Sequence, residues 1–366
     1  MSAGPAAMEF VWIPKASAIA KEAGARLREF LAQGVETEYK GDADLVTVAD
    51  RTVEKLIRER LAEAFPEHGV YGEEGTRERM GGEFRWYVDP LDGTTNFAHG
   101  FPQFCVSLGL EQRPASIQPG EDGTLVAAVI YDPMRNELFT AERGRGALLN
   151  GKPMRVSRTP DLAEALLATG FPSHNRHTSP NVHFYHEFTL RSHGVRRAGS
   201  AALDLAWTAC GRVDGFWEFN LNPWDTAAGI LLVEEAGGRV TDFAGKLFRL
   251  DSREILASNG LFHEELVGFF QDMFAGRNLT PIPTPQEFAR HRAARGNMTT
   301  NKAAPQTPPG EWWTITETAR HLGFKSRAPI DSLIKDGKLT WKKLGSEKSS
   351  PIRISAVSVE KFMESK

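Results

Sequence analysis

One short stretch, residues 86–97 (WYVDPLDGTTNF), restricts the fold of this chain more than any other segment. The apolar run at 86–88 predicts a short buried strand that ends at Asp89. The Pro and Gly of the next four residues, 90–93, predict a tight turn that carries Asp92. Two carboxylates are therefore expected at the mouth of one strand.

Thr94 and Thr95 follow this turn and suit the N-cap of a helix. Carboxylate and hydroxyl oxygens are the ligands that hard divalent cations take. Backbone N–H groups at a helix N-terminus bind phosphate. Residues 89–93 would also be expected in a turn that has no function, because Asp, Pro and Gly are the residues that turns prefer.

Three further acidic positions lie at the edges of apolar segments. Asp50 begins a predicted helix over 50–64, Asp225 heads a second one over 226–236, and Glu73 follows a short strand. Each has a structural interpretation as well, because Asp is a common N-cap and an acidic pair is common in a solvated turn.

The helix predicted over 199–211 begins with Gly199 and Ser200, which suit an N-cap and a backbone cradle for an anion. Residues 216–219 read as a strand that contains Glu218.

The composition excludes several classes of protein. The 366 residues carry a net charge of −3, so the whole chain is not a polyelectrolyte-binding protein. Cys105 and Cys210 lie in apolar surroundings without CxxC or CxxH partners, which predicts reduced core cysteines. No apolar run is long enough to span a membrane, and no signal peptide is evident at the N-terminus. We therefore expect a cytoplasmic location and no membrane partner.

The sequence predicts three regions. Residues 1–276 have the alternating strand and helix patterns of a large domain. Residues 277–311 are rich in proline and polar residues, as is typical of a linker. Residues 312–366 form a separate small module.

Four blocks of residues 8–276 resemble the inositol monophosphatase family of metal-dependent phosphatases. They are DLVTVADRTVEKLI, GEE at 72–74, WYVDPLDGTTNF and PWDTAAGILLVEEAGG, in that order. The resemblance implies an α+β fold, a layered αβαβα sandwich, and Mg²⁺-dependent hydrolysis of small phosphate monoesters by a metal-activated water.

The resemblance also implies roles for individual residues and two or three Mg²⁺ ions. The implied metal ligands are Glu73, Asp89, the Leu91 carbonyl, Asp92 and Asp225. The catalytic pair that orients the attacking water is Asp50 and Thr94. The substrate-binding residues are Asp92, Gly93, Thr94, Gly199, Ser200, Ala201, Glu218 and Asp225. The family often has threonine where Ser200 stands.

The family resemblance favours a small phosphorylated polyol or sugar as substrate. The run DGTTNF and the polyol-binding position of Glu218 favour inositol 1-phosphate. Fructose 1,6-bisphosphate and histidinol phosphate are the alternatives. The resemblance also implies a homodimer and inhibition by Li⁺.

The tail resembles winged-helix, excisionase-like DNA-binding domains in its predicted order of two helices, a strand pair and a last helix. Residues 312–366 hold eleven Lys and Arg against six Asp and Glu, a net charge of +5, which leaves −8 for the remaining chain. A basic module predicts contact with the phosphates of DNA. The alternatives are a protein-interaction or inert module, and a DNA-tethered regulator whose phosphatase domain is vestigial.

Overall fold

The computed structural model describes most of the chain. The described residues are 12–34, 37–39, 45–114, 122–171, 179–277, 279–282, 284–286, 312–324, 328–343 and 352–365. Most of the predicted linker over 277–311 lies outside them. The chain divides into two compact units between Ile282 and Pro283.

Two long amphipathic helices form the first layer of the larger unit. They are α1, Ile13–Gln33, and α2, Val48–Ala64. Their buried side chains, among them Leu27 and Ile57, pack with Val88 and Val106 of the first sheet. The predicted helix over 50–64 is therefore confirmed, but it begins two residues earlier. A separate strand pair, β1, Thr37–Tyr39, and β2, Leu45–Thr47, precedes α2.

An eight-stranded sheet forms the second layer. Its strands are β3, Gly69–Gly72; β4, Arg77–Glu78; β5, Phe84–Asp92; β6, Cys105–Gln112; β7, Thr124–Asp132; β8, Glu137–Glu142; β9, Ala147–Leu149; and β10, Lys152–Met154. The strand order is β10-β9-β8-β7-β6-β5-β3-β4, and only the β3–β5 pairing is parallel. Its central strands are continuous apolar runs because helices cover both faces of the sheet.

The middle layer contains two helices with small residues at their contacts. α5, Ala201–Ala209, packs on α6, Pro223–Glu235, and α6 also lies across β5, β6 and β7. A β-carbon on Gly229 would come within 2.5 Å of Leu205, so the two helices approach too closely for any other residue there. The short helix α3, Thr94–Ala98, follows β5.

A five-stranded sheet and two outer helices complete the unit. The strands are β11, Leu166–Thr169; β12, Gly194–Arg196; β13, Gly215–Phe219; β14, Arg239–Thr241; and β15, Glu254–Ser258, in the order β12-β11-β13-β15-β14. The outer helices are α4, Asn181–Arg191, and α7, His263–Phe274. Phe188, Trp217 and Phe270 share the outer aromatic core. The predicted αβαβα sandwich is confirmed.

The smaller unit contains three helices and a three-stranded sheet. The helices are α8, Ile315–His321; α9, Ala328–Lys335; and α10, Ala356–Glu364. The strands are β16, Trp312–Trp313; β17, Trp341–Lys343; and β18, Ile352–Ser355, with β18 in the centre. A small core forms around Ile330, Ile354 and Val359. The two helices, the strand pair and the last helix follow in the predicted order, and β16 is an additional strand that the sequence analysis did not predict. The winged-helix resemblance stays a prediction.

Among the helices of the described residues, none is long and apolar enough to cross a bilayer. Cys105 and Cys210 are free thiols, as predicted.

The contact of α6 with β6 gives a first prediction. A β-carbon on Gly109 would lie 2.7 Å from the Ala227 β-carbon and 2.8 Å from the Ala228 backbone nitrogen. We expect Gly109→Ala to lower the free energy of unfolding by about 2 kcal/mol, because backbone atoms must move. Gly268→Ala is the control, since nothing lies within 4 Å of that exposed position on α7, and it should stabilise by about 0.5–1 kcal/mol.

Urea denaturation of both variants measures the two effects. Equal stabilities for Gly109→Ala and the unsubstituted protein would contradict the tight packing of α6 on β6.

Candidate active site

The segment that carries Asp89 and Asp92 is a continuous strand, and the predicted strand end at Asp89 is wrong. β5 runs to Asp92, and its register with β6 shifts between these two residues. Asp89 pairs with Ser107 and Asp92 with Cys105, so β5 has one residue more than β6 in this interval. Side chains three residues apart point to opposite faces of a regular strand, and the bulge interrupts that alternation. The two carboxylates consequently lie close enough for Asp92 to raise the pKa of Asp89.

Gly93, and not Thr94 or Thr95, is the N-cap of α3. Its backbone is left-handed, with φ at 100°. A β-carbon at this position would come within 2.8 Å of the Gln103 carbonyl oxygen. A side chain is therefore excluded for both conformational and steric reasons. The predicted threonine cap is wrong because α3 already begins at Thr94. Gly93, Thr94 and Thr95 all line one cleft.

Asp50 and Thr94 are in contact, although 44 residues separate them. Asp50 is buried in the first turn of α2 and is not its N-cap. Its Oδ1 lies 3.1 Å from Thr94 Oγ1, and the same hydroxyl lies 3.1 Å from the Leu91 carbonyl oxygen. The hydroxyl donates to one of these acceptors at a time, and its lone pairs stay available to accept a hydrogen bond.

Glu73 and Asp89 form a closely coupled pair. The Glu73 N–H donates to the Val88 carbonyl at 3.1 Å, which attaches the end of β3 to β5. Burial raises the pKa of each carboxyl well above its usual range, with repulsion from Asp225 as the next cause for Glu73 and repulsion from Glu73 as the next cause for Asp89. Asp89 Oδ1 also accepts the Leu91 N–H at 2.9 Å.

Asp225 belongs to the first turn of α6. The helix begins at Pro223 with Asn222 as its N-cap, so the predicted start at 226 is three residues too late. Proline suits the first position of a helix because its missing N–H has no partner there. Asp225 Oδ2 accepts the Asn222 N–H at 2.7 Å. Burial raises the pKa of Asp225 to about 7. The hydrogen bond from Asn222 lowers this pKa, and the negative charge of Asp92 raises it.

Asp92 joins the first sheet to α5. Its Oδ2 accepts the Ser200 hydroxyl at 2.5 Å and the Ala202 N–H at 2.7 Å. Ser200 is the N-cap of α5, as predicted, and also accepts the Leu203 N–H at 3.4 Å. Burial raises the pKa of Asp92, and these hydrogen bonds oppose the rise.

Glu218 lies on β13, and its carboxyl group occupies space that is open because residue 170 is a glycine. A β-carbon on Gly170 would come within 2.1 Å of the Glu218 carboxyl oxygen. Burial, with repulsion from Asp92 and Asp225, raises the pKa of Glu218 to about 8, and Arg197 opposes that rise. Asp204 of α5 is also buried, one of its carboxyl oxygens has no hydrogen-bond partner, and burial raises its pKa.

These elements enclose a cleft of about 260 Å³. The predicted site residues that line it are Glu73, Asp92, Gly93, Thr94, Gly199, Ser200, Ala201, Glu218 and Asp225. The other three lie behind its wall, where Asp50 and Asp89 are nearly inaccessible and Leu91 is fully buried. The structure therefore brings together residues from six separate elements, α2, β5, α3, α5, β13 and α6, and from the loop that follows β3.

The sequence analysis missed two residues that support the cleft. The buried Glu54 carboxylate accepts the Glu74 N–H at 2.7 Å and the Thr76 hydroxyl at 2.6 Å. It thus holds the loop that presents Glu73. The Asn96 amide lies 2.7 Å from the Gln103 carbonyl and 2.9 Å from the Ala198 carbonyl. Two features of the sequence could have identified these residues. Glu54 is an acidic residue on the apolar face of a predicted helix, and Asn96 follows the DGTT motif directly.

The donor set has the chemistry of a divalent-cation site. Within the ranges that the structure describes, no three His, Cys, Asp or Glu side chains form a complete group that could hold a metal ion. Asp89, Asp92 and Asp225 each have an oxygen occupied by a neighbouring N–H or O–H group. Rotation of these side chains changes the distances between their oxygens. The burial of the carboxylates and their mutual repulsion, in contrast, follow from where the backbone places them. Buried carboxylates that raise one another's pKa fit a hard cation, because its positive charge would offset both their desolvation and their mutual repulsion.

Comparison with known proteins agrees with this geometry. The sequence pattern of the inositol monophosphatase family matches residues 11–273. The chain is 42% identical to an inositol-1-monophosphatase of Synechocystis over 78% of this chain and 93% of the relative. It is 44% identical to the Nus factor SuhB of Pseudomonas aeruginosa over 62% of this chain and 82% of that protein.

Two solved structures have the same fold. The extragenic suppressor protein suhB of Bartonella henselae superimposes with a TM-score of 0.66 at 41% identity, over 71% of this chain and 98% of that one. An inositol monophosphatase from Anabaena (Nostoc) sp. superimposes with a TM-score of 0.63 at 39% identity, over 74% of this chain and 97% of that one. The layered fold, the cleft and the similarity to these relatives thus define a phosphoric monoester hydrolase, as the sequence analysis predicts. The chain belongs to the inositol monophosphatase family.

The hydrogen bonds of Ser200 generate the second prediction. Ser200→Ala removes a donor to Asp92 and the N-cap of α5, so we expect about 1 kcal/mol less stability. The pKa of Asp92 should rise without this donor, and the acid limb of the pH–activity profile should move to higher pH. Ser200→Thr keeps the hydroxyl and should keep both properties.

Thermal melts and pH–activity profiles of the variants provide the measurement. Asp161→Ala is the matched control, because Asp161 caps a short 3-10 helix outside the cleft. It should lower stability without moving the pH profile. An unchanged acid limb in Ser200→Ala would contradict the role given to this hydrogen bond.

Proposed function

We propose that this chain hydrolyses small phosphate monoesters with Mg²⁺, and that inositol 1-phosphate is its preferred substrate. The observation that carries the proposal is that three carboxylates, Glu73, Asp92 and Asp225, line one cleft beside Gly93 and Thr94, with a fourth, Asp89, buried behind its wall. The names of the Synechocystis and Anabaena relatives support the same substrate. Fructose 1,6-bisphosphate and histidinol phosphate are the alternatives within this reaction class.

Two or three Mg²⁺ ions would be held by the four carboxylates and the Leu91 carbonyl. When bound, they would lower the pKa of a water molecule and neutralise the phosphate and the leaving alkoxide. The carboxylates themselves hold their positions through the bulge in β5 and the first turn of α6.

The attacking water would be oriented by Thr94. The Thr94 hydroxyl would donate its hydrogen to the Asp50 carboxylate, 3.1 Å away, which would leave a lone pair of Thr94 Oγ1 to accept a hydrogen bond from the water. Backbone N–H groups of Gly93 and Thr94 would donate to the phosphate oxygens. Such positioning matters because phosphate monoesters hydrolyse extremely slowly without a catalyst.

Glu218 would bind the substrate hydroxyls. Burial, with the charges of Asp92 and Asp225, raises the pKa of Glu218 to about 8. Its carboxyl oxygens would accept hydrogen bonds from the hydroxyls of a polyol.

The third prediction tests the reaction itself. Phosphate release from inositol 1-phosphate, fructose 1,6-bisphosphate, histidinol phosphate and 3′-phosphoadenosine 5′-phosphate is measured with and without Mg²⁺. We expect magnesium-dependent turnover that is fastest for inositol 1-phosphate. Asp92→Asn should lower kcat by about a thousandfold or more and leave circular dichroism unchanged. The exposed Asp251→Asn should have full activity. An active Asp92→Asn variant, or turnover without a divalent cation, would refute the proposal.

DNA binding by residues 312–366 is a second candidate function. The observation that favours it is the set of exposed lysines on this unit, Lys335, Lys338, Lys342 and Lys361, together with its net charge of +5. A DNA-tethered regulator with a vestigial phosphatase domain is less favoured, because the carboxylate set of the cleft is intact.

The fourth prediction separates these functions. The full chain should bind duplex DNA with an affinity that falls steeply as salt rises, since displaced counterions return to the phosphates. A chain that ends at residue 282 should lose this binding and keep phosphate release. If the full chain does not bind at low salt, or if the shortened chain binds equally well, the basic unit is not a DNA-binding module.

A further inference from the structure

Arg77 packs on two aromatic rings outside the cleft, and the proposed mechanism does not use it. It is the first residue of β4 and the direct cross-strand partner of Tyr71 in β3. Side chains of directly opposed residues lie on the same face of a strand pair. The Arg77 guanidinium accordingly lies 3.7 Å from the centroid of the Tyr71 ring, and it lies 5.4 Å from the centroid of the Trp224 ring. We call these three side chains the Arg77 stack.

The two rings of the Arg77 stack belong to segments that each carry a cleft carboxylate. They pack edge to face, with their centroids 5.4 Å apart. Tyr71 is two residues before Glu73, and Trp224 directly precedes Asp225 in the first turn of α6. Glu73 and Asp225 both line the cleft. The stack therefore connects the two segments that present these carboxylates.

The guanidinium also holds the turn that presents Glu73. Arg77 Nη1 donates to the Gly72 carbonyl and, at 2.7 Å, to the Thr76 carbonyl. The Gly72 N–H donates to the same Thr76 carbonyl at 2.9 Å. Glu54 of α2 accepts N–H groups of this turn, whereas Arg77 donates to its carbonyls. Two side chains of opposite charge, from different elements, thus fix the backbone of the turn.

Packing alone holds the indole of Trp224. Its Nε1 is buried and has no hydrogen-bond partner in the part of the chain that the structure describes. Its backbone carbonyl accepts the Ser107 hydroxyl at 3.4 Å, which attaches the start of α6 to β6. The orientation of the ring therefore depends on its contacts with Tyr71 and Arg77.

We propose that Arg77 is a positioning residue, and that the stack it completes holds Glu73 and Asp225 in place before a divalent cation binds. This inference rests on the proposed function, because it takes these two carboxylates as cation ligands. A ligand group that is already held in place loses little conformational freedom on binding, so the affinity is higher. Arg77 acts through the two rings and the turn, and it touches neither the cation nor the substrate.

The sign of the effect separates positioning from simple electrostatics. Arg77→Gln removes a positive charge, and the charge alone would make the chain bind cations more tightly. Loss of positioning would make it bind them more weakly. Arg26→Gln is the matched control, because the exposed Arg26 guanidinium lies 4.7 Å from the centroid of the Phe30 ring on α1 and does not line the cleft. It removes the same charge and the same type of contact.

The fifth prediction concerns the binding of Mn²⁺ to the full chain without substrate. Mn²⁺ takes the same carboxylate and water ligands as Mg²⁺, and its electron paramagnetic resonance signal measures the free ion. We expect Arg77→Gln to raise the Kd for Mn²⁺ by about fivefold, which one exposed cation–π contact supplies. Arg77→Lys keeps a charge over the rings and should recover part of this loss. Arg26→Gln should leave the Kd unchanged.

Two further measurements distinguish positioning from a general loss of stability. In Arg77→Gln, the Mg²⁺ concentration for half-maximal phosphate release should rise, whereas kcat at saturating Mg²⁺ and KM for the ester should stay unchanged. In a Tyr71→Leu background the cation has lost its nearest ring, so Arg77→Gln should have a much smaller further effect on the Kd.

A Kd for Mn²⁺ that stays equal or falls in Arg77→Gln would overturn the inference. The same holds if Arg26→Gln raises the Kd to the same extent, or if the full effect of Arg77→Gln persists in the Tyr71→Leu background. Failure of the underlying function would look different. The unsubstituted chain would then bind no Mn²⁺ and release no phosphate with Mg²⁺, and the inference would fail with it.

Discussion

The hydrogen bonds that the Asp92 carboxylate accepts from Ser200 and Ala202 are the contact on which the cleft depends. Asp92 is the last residue of β5, at the end of the bulge, and Ser200 is the N-cap of α5 in the middle layer. The N-terminus of a helix carries a partial positive charge, which favours a carboxylate there. One acidic side chain therefore fixes the end of β5 in the first sheet against the start of α5.

The cleft concentrates negative charge that the protein alone does not neutralise. Burial and repulsion raise the pKa values of Glu73, Asp89 and Asp225. Protons and the proposed divalent cations would therefore compete for the same oxygens, and cation binding would weaken as the pH falls. The surrounding structure tolerates this cluster because well-formed hydrogen bonds hold the supporting elements in place. Glu54 holds the loop of Glu73, and Asn96 ties the end of α3 to the segment before Ser200.

The charge of the chain is distributed unevenly between its two units. The catalytic unit and the segment that follows it carry the acidic excess of −8, whereas residues 312–366 carry +5. Each unit has its own apolar core. An acidic enzyme with a basic appendage has two surfaces of opposite sign, and each attracts a different class of ligand.

The sequence by itself determined the layers and most of the site. Apolar periodicity predicted α2, α5 and α6, because local patterns reflect which face of each element is buried. The four blocks contain eight of the twelve candidate site residues, and the family resemblance added Gly199, Ser200, Ala201 and Glu218. The sequence did not reveal the bulge in β5, the glycine cap of α3 or the earlier start of α6. These depend on register, on positive φ and on steric limits imposed by distant residues such as Gln103. Tertiary structure alone decided that Arg197 lines the same cleft as Glu218, and that Gly170 leaves room for the Glu218 carboxyl. No local pattern encodes which side chains from separate strands and loops approach each other, since that follows from how the two sheets pack against the helices between them.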